Sequence, residues 1–172
     1  QKTTLSDVGS VKGPVRTQVS EVGLLDCYVG AHPMAGNEHS GWVAADPTLF
    51  DDALWAVTFG LHTQYRRVVQ IAGMITRGVR NTMIVIDDVT HDREASLISH
   101  MPHVLSTALI NEMTSDANNA IASALSAGSW RDMTRVALTD PDRTRAMVVE
   151  NAHNVEELLH RMIDWLSEFA NA

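Results

Sequence analysis

Residues 81–113, NTMIVIDDVTHDREASLISHMPHVLSTALINEM, decide the fold, because the hydrophobic period changes inside them. Asn81 to Asp87 (NTMIVID) reads as a buried strand, and from Thr90 onward the sequence has no convincing strand pattern. Asp92 to Met113 instead sets Ile98, Met101, Leu105, Ala108 and Leu109 at the spacing of one helical face. Pro102 withdraws the hydrogen bond to the Ile98 carbonyl and predicts a kink there.

Working outward toward the N-terminus, β-like runs alternate with helical periodicity. Thr3 to Leu5 is strand-like, and Lys12 to Val22 suits a short helix with Pro14 in its first turn, where a missing N–H matters little. A mostly apolar run, Leu24 to Gly30, ends at Ala31-His32-Pro33, and Leu54 to Phe59 is a second strand candidate rich in aromatic and β-branched residues. Gln64 to Arg77 places Val68, Ile71, Ala72 and Ile75 on one helical face, with Gly78 as C-cap. The connection 32–53 reads as a long functional loop. Toward the C-terminus, Ser115 is placed to cap a second helix ending before Gly128, and Thr139 or Asp140 followed by Pro141 starts a third, running to Phe169. The expected fold class is an α/β layer over residues 1–90, then an all-α part over 91–172. The stripe Val155, Leu158, Leu159, Met162, Trp165, Leu166 and Phe169 is too wide for a lone helix to cover, so it needs the α/β layer, a second copy, or both.

Composition narrows the function. The 172 residues are 45% hydrophobic and 20% charged, a globular profile. Thirteen basic residues against 21 acidic ones leave a formal charge of -8, most of it in residues 91–172, so a nucleic-acid backbone is not the expected partner. Cys27 is the single cysteine, which excludes an internal disulfide and a thiolate zinc cluster and fits the cytoplasm. No run reaches the roughly 18 apolar residues of a membrane span. The chain opens on Gln1 without a leader pattern, and a truncated or processed start is expected.

Four segments concentrate polar groups in apolar or glycine-rich settings. Asp7 to Lys12 (DVGSVK) is a strand-to-helix turn in which Ser10 and backbone N–H groups either face a ligand or simply cap the turn. His32 to Gly41 holds a histidine fixed by Pro33 and two glycines within ten residues. His100 and His103 stand three apart on one helix face at the Pro102 kink. Gly128 to Arg135, with Arg143 and Arg145 beyond, supplies four of the six basic residues of the acidic half; these arginines read either as carboxylate binders or as a surface network with Asp132, Asp140 and Asp142. The sequence has no G-x-S-x-G elbow, no H-E-x-x-H and no Walker-type loop. A metal site from His91, His100, His103 and Asp92 would match no strong ligand spacing.

Taken together, DVGSVKGPV (7–15), VGAHPMAGNEHSGWVAADPTLFDDALWAVTF (29–59), HDREASLISHMPHVLSTAL (91–109) and GSWRDMTRVALTDPDRTRAM (128–147) resemble, in order, the prephenate and arogenate dehydrogenases of tyrosine biosynthesis. The resemblance implies an NAD- or NADP-dependent oxidative decarboxylation, a partial Rossmann-like nucleotide-binding domain and a helical substrate-binding domain that forms a homodimer. It implies that His32 is the catalytic histidine at the substrate hydroxyl and that Ser10 is its orienting partner. Gly9 and Ser10 would lie at the nicotinamide. Arg135 and His103 would bind the substrate carboxylates, with His100 beside them and Glu38 at the pocket mouth; no metal is implied. Two departures stand out: the family's G-x-G-x-x-G turn is absent, so the chain is expected to be an inactive fragment that binds dinucleotide weakly, and Thr144 stands where some members carry an aromatic residue. The absent turn also motivates a competing expectation, a non-catalytic helical dimerisation module.

Overall fold

The computed structural model describes residues 3–37 and 41–172 and divides the chain into two compact units. The first unit comprises residues 1–36 and 45–95, and the second 37–44 and 96–172.

The first unit is built on a mixed four-stranded sheet in the order β1 (Leu5–Ser6), β2 (Tyr28–Pro33), β3 (Leu54–Thr58), β4 (Thr82–Val85). β1 and β2 are parallel, β2 and β3 antiparallel, and β3 and β4 parallel. The antiparallel pairing is why the sequence offers no crossover helix between residues 33 and 54; an antiparallel neighbour can return through a loop. Two helices lie in the parallel connections: α1 (Gly13–Glu21), with Pro14 in its first turn, and α2 (Tyr65–Gly73), which continues into a π turn at Met74–Gly78. A further helix, α3 (Asp88–Ala95), closes the unit.

The strand alternation sorts the sheet into two faces. Val29, Ala31, Trp55 and Val57 pack with Val68, Ile71 and Ile75 of α2 and its π turn into one apolar core. The opposite face carries Tyr28, Gly30 and His32 of β2 beside Ala56 and Thr58 of β3. Gly30 is required there: a Cβ would lie 2.6 Å from the Thr58 hydroxyl, 2.9 Å from the Tyr28 hydroxyl and 3.3 Å from Lys12 Cδ. The strand expected to be buried, Asn81 to Asp87, is shorter and is the sheet edge, with Ile84 and Val85 exposed. Its apolar composition reflects pairing with β3 and the packing of Met83, half-buried against the core, rather than cover on both faces.

The second unit is helical: α4 (Met101–Ser115), α5 (Asn119–Leu125), α6 (Gly128–Thr134), α7 (Pro141–Glu150) and α8 (Ala152–Asn171). A π turn at Ser96–His100 precedes α4 and leaves Pro102 in that helix's first turn. There a proline's missing N–H costs little, and the expected mid-helix break becomes a π turn followed by a start. Ser115 ends α4 rather than capping α5, which follows Asn118 instead. Asp140 caps α7 as expected, its carboxylate accepting from the N–H groups of Asp142 and Arg143. The predicted continuous helix to Phe169 is broken at Asn151, whose backbone (φ -120°, ψ 29°) leaves the helical region. The Asn151 side chain explains the break, since it is buried and tied to both His100 and Asn154.

Candidate active site

The polar face of the sheet is organised around Asp7, Lys12 and Asp92. Lys12 begins α1 with its side chain fully buried, and its ammonium donates to the Ala31 carbonyl at 2.9 Å and pairs with the Asp7 carboxylate. Tyr28 donates its hydroxyl to the other Asp7 oxygen at 2.6 Å. Burial lowers the Lys12 pKa despite the hydrogen bond and charge of Asp7 that work to raise it. Burial, and then the Asp7 bond, raises that of Tyr28. Asp7 also accepts from the Gly9 N–H at 2.8 Å, which shapes the turn holding Gly9 and Ser10. This turn follows β1, and β1 runs parallel to β2, so Ser10 and His32 both belong to the carboxyl ends of parallel strands, where open α/β sheets take their ligands.

His32 sits one residue before the end of β2, half-buried, with Pro33 restricting its backbone to the extended region. Its Nδ1 lies 2.9 Å from His91 Nε2, the rings meeting edge-on at 64°. His91 Nδ1 lies 2.7 Å from Asp92 Oδ1. That carboxylate also accepts from the start of α1: Oδ1 from the Lys12 N–H at 2.7 Å and Oδ2 from the Gly13 N–H at 2.8 Å. Burial raises the Asp92 pKa, but the hydrogen bonds from His91, Lys12 and Gly13 outweigh it and leave the group below its ordinary value.

The residue holding His32 Nδ1 is therefore His91, which sequence reasoning had weighed only as a metal donor. Tyr28 is not singled out by the sequence, Lys12 enters only as the end of the Asp7–Lys12 turn, and His91 and Asp92 enter only as metal donors. The usable signal is the adjacent His91-Asp92 pair together with a lysine in the strand-to-helix turn, both inside motifs already singled out. Among the described residues, no group of three or more histidine, cysteine, aspartate or glutamate side chains is disposed to hold a metal ion.

In the second unit, His103 of α4 is half-buried, its Nδ1 inaccessible and without a hydrogen-bond partner. Burial lowers its pKa; a backbone hydrogen bond to Val136 works against the shift, while the charges of Arg143 and Arg135 add to it. Its ring thus faces a positive field that an anion would relieve. Arg135 follows α6 and is exposed, and Arg143 of α7 donates to the Asn37 carbonyl at 2.9 Å. His100 is placed differently from the expectation of a substrate contact. It is 1% exposed, with Nδ1 3.2 Å from the Asn151 amide nitrogen, in the interior of the helical unit. Glu38 lies outside the described residues. An open cavity of about 580 Å³ beyond the end of β3, lined in part by Arg16, Phe59, His62 and Asp88, contains none of the candidate residues.

A sheet with polar side chains at its strand ends, followed in the chain by a helical unit that carries exposed arginines, defines a two-part class of α/β plus helical protein, and the comparisons name the family. Residues 1–85 match the nucleotide-binding domain of prephenate dehydrogenase and residues 87–172 its dimerization domain, so the chain belongs to the prephenate dehydrogenase family. It is 32% identical over 167 residues to a Bacillus subtilis prephenate dehydrogenase, covering 95% of this chain and 44% of that protein. A Corynebacterium glutamicum structure assigned to prephenate dehydrogenase superposes with a TM-score of 0.83 at 34% identity, covering 97% of this chain and 54% of that one. The A. aeolicus prephenate dehydrogenase in complex with hydroxyphenyl propionate and NAD+ superposes at 0.85 with 26% identity, covering 98% and 58%. The chain thus spans about half the length of the relatives it matches.

Proposed function

We propose that the chain carries the nicotinamide-facing and substrate-facing residues of an NAD- or NADP-dependent dehydrogenase acting on prephenate or arogenate in tyrosine biosynthesis. The observation that carries this reading is His32 at the carboxyl end of a parallel strand, with Nδ1 held by a histidine–carboxylate pair. Residues 1–90 would form part of the nucleotide-binding domain and 91–172 the substrate-binding and dimerisation domain.

The residues present fit the nicotinamide end of the cofactor: the Gly9–Ser10 turn lies at a strand end, half-buried, with its geometry set by Asp7. They include no G-x-G-x-x-G turn for the pyrophosphate. The cofactor, when bound, supplies a hydride acceptor. His32 accepts the proton of the ring hydroxyl as hydride leaves its carbon. The ring carboxylate departs as CO2, its bonding electrons flowing toward the new carbonyl so that the ring becomes aromatic. Ser10 is the orienting partner of His32 near the nicotinamide. Arg135 holds a substrate carboxylate through paired N–H groups, with His103 beside it as the second carboxylate-binding residue. The family resemblance assigns Glu38 to the mouth of the pocket. His100, interior and bonded to Asn151, supports the helix bearing His103.

A homodimer through the helical unit is supported by the dimerization-domain match and by Ile163, Trp165, Leu166 and Phe169, all exposed along α8. Sedimentation would show a dimer, for which a two-fold interface above about 1,500 Å² is expected. The cytoplasm is the proposed compartment, and no helix among the described residues is long and apolar enough to cross a membrane. The net charge of -8 argues against nucleic acid as a partner.

Steady-state kinetics with prephenate and arogenate test the assignment. His32→Asn is expected to lower kcat about 100-fold or more with little change in KM. Arg135→Ala is expected to raise KM by an amount equivalent to about 2–4 kcal/mol. A loss smaller than about threefold for His32→Asn would remove it from the chemistry. Absence of turnover in every form would favour the non-catalytic dimerisation module.

A further inference from the structure

We infer that Asp92 and His91 are positioning residues that fix the tautomer of His32, leaving Nε2 as its proton-accepting nitrogen; the catalytic consequence rests on the function proposed above. The Asp92 carboxylate receives two backbone N–H groups, from Lys12 at 2.7 Å and Gly13 at 2.8 Å, at the start of the nine-residue helix α1. These two N–H donors stabilise the charged form and, with the bond from His91, hold the Asp92 pKa below its ordinary value, so the carboxylate is ionised at neutral pH. An ionised carboxylate can only accept, which makes His91 Nδ1, at 2.7 Å, the donor. In the neutral form of His91, with its proton on Nδ1, the lone pair is on Nε2. That atom lies 2.9 Å from His32 Nδ1, which must therefore carry the proton. The remaining nitrogen of His32, Nε2, is the acceptor.

The charges around the chain agree with this polarity. The turn and α1 present Asp7, Lys12 and Arg16; β2 presents Tyr28; and α3 presents Asp88, His91 and Asp92. Lys12 pairs with Asp7 and Arg16 with Asp88 at 3.2 Å, and His91 stands between the Asp92 carboxylate and the His32 ring. When His32 takes a proton on Nε2, the resulting imidazolium donates from Nδ1 into an acceptor already in place, and no group in the chain has to turn. A histidine held the other way round would present N–H to the substrate hydroxyl and could not accept its proton.

Nitrogen-15 NMR of the 172-residue chain, with neither substrate nor cofactor present, reads the tautomer directly. The expected spectrum has His32 with pyrrole-type Nδ1 and pyridine-type Nε2. His91→Leu removes the acceptor and should return His32 to a mixture dominated by the Nε2–H form, whereas His91→Gln, whose side-chain oxygen can accept from Nδ1–H, should restore the wild-type pattern. Wild-type protein with Nε2 protonated, or a His91→Leu spectrum identical to wild type, would overturn the inference. Because this readout needs no turnover, it stands or falls separately from the dehydrogenase assignment. In the dehydrogenase assay, His91→Leu should lower kcat by at least about tenfold with KM little changed and His91→Gln should recover most of it. Equal loss in both variants would point to a packing role and overturn the positioning one.

Discussion

One face of the sheet sets Val29, Ala31, Trp55 and Val57 against Val68, Ile71 and Ile75, while the other sets Tyr28, His32 and Thr58 beside Lys12, His91 and Asp92. Both faces are largely closed to water, but they are specified differently. The apolar face needs volume and periodicity, and many residue combinations satisfy that. Each polar residue answers to named partners: Asp7 to Lys12, Tyr28 and Gly9, and Asp92 to His91, Lys12 and Gly13. Stability can come from either face, but directional chemistry needs the second, because only hydrogen bonds tell one nitrogen of a ring from the other.

The comparison breaks most sharply at Asp7. Asp7→Ala strands the buried Lys12 ammonium, and urea unfolding should show a loss of about 3–4 kcal/mol, whereas Lys12→Met with Asp7→Leu should recover much of it. Full stability in Asp7→Ala would mean that the polar face does not hold the fold. On the apolar face, Ile75→Ala should cost about 3 kcal/mol while leaving the His32 tautomer unchanged by NMR, because a cavity there touches none of the hydrogen-bonded chain.

The pH dependence separates the faces next. The folded pKa of Asp92 lies below its unfolded value, so its contribution is fully present above the ordinary carboxylate range and is lost as pH falls through the lowered folded value. Between about pH 5 and pH 3, Asp92→Ala should therefore lose less stability on acidification than wild type, while Ile75→Ala should track the wild-type slope. Parallel curves for Asp92→Ala and wild type would contradict the assignment of Asp92 as a stabilising carboxylate. The smallest effect is expected at Thr58, whose hydroxyl is buried without a hydrogen-bond partner: Thr58→Val should be neutral or stabilising by up to about 1 kcal/mol in the same unfolding measurement.

The apolar face was legible in the sequence: Val68, Ile71 and Ile75 were placed by helical period, and LWAVTF by strand composition. The polar face was legible only in part. His32 stood out because of Pro33, but nothing in a periodicity argument says that a lysine twenty residues earlier is buried, or that a His-Asp pair 59 residues later meets the His32 ring. Those pairings belong to strand order and to the approach of α1 and α3, which local pattern does not encode. The helical half failed for a related reason. Residues 140–169 have an unbroken apolar stripe, and the break at Asn151 comes from a side-chain bond to His100, 51 positions away. Asn81–Asp87 was misread as buried because an edge strand that packs one residue into the core has the same composition as a central one.

Gly30 gives the polar face a history as well as a geometry. Any side chain at that position meets the Thr58 and Tyr28 hydroxyls and the Lys12 stem at once, so substitution there is closed while all three remain. Lys12 in turn cannot be traded without leaving Asp7 with one partner fewer. Descendants of this sequence can reach an alanine at residue 30 only after Thr58 or Tyr28 has already given way, whereas the opposite face permits its exchanges in nearly any order. Drift on one side of a single sheet is then free to wander, while on the other it is confined to a narrow, ordered path.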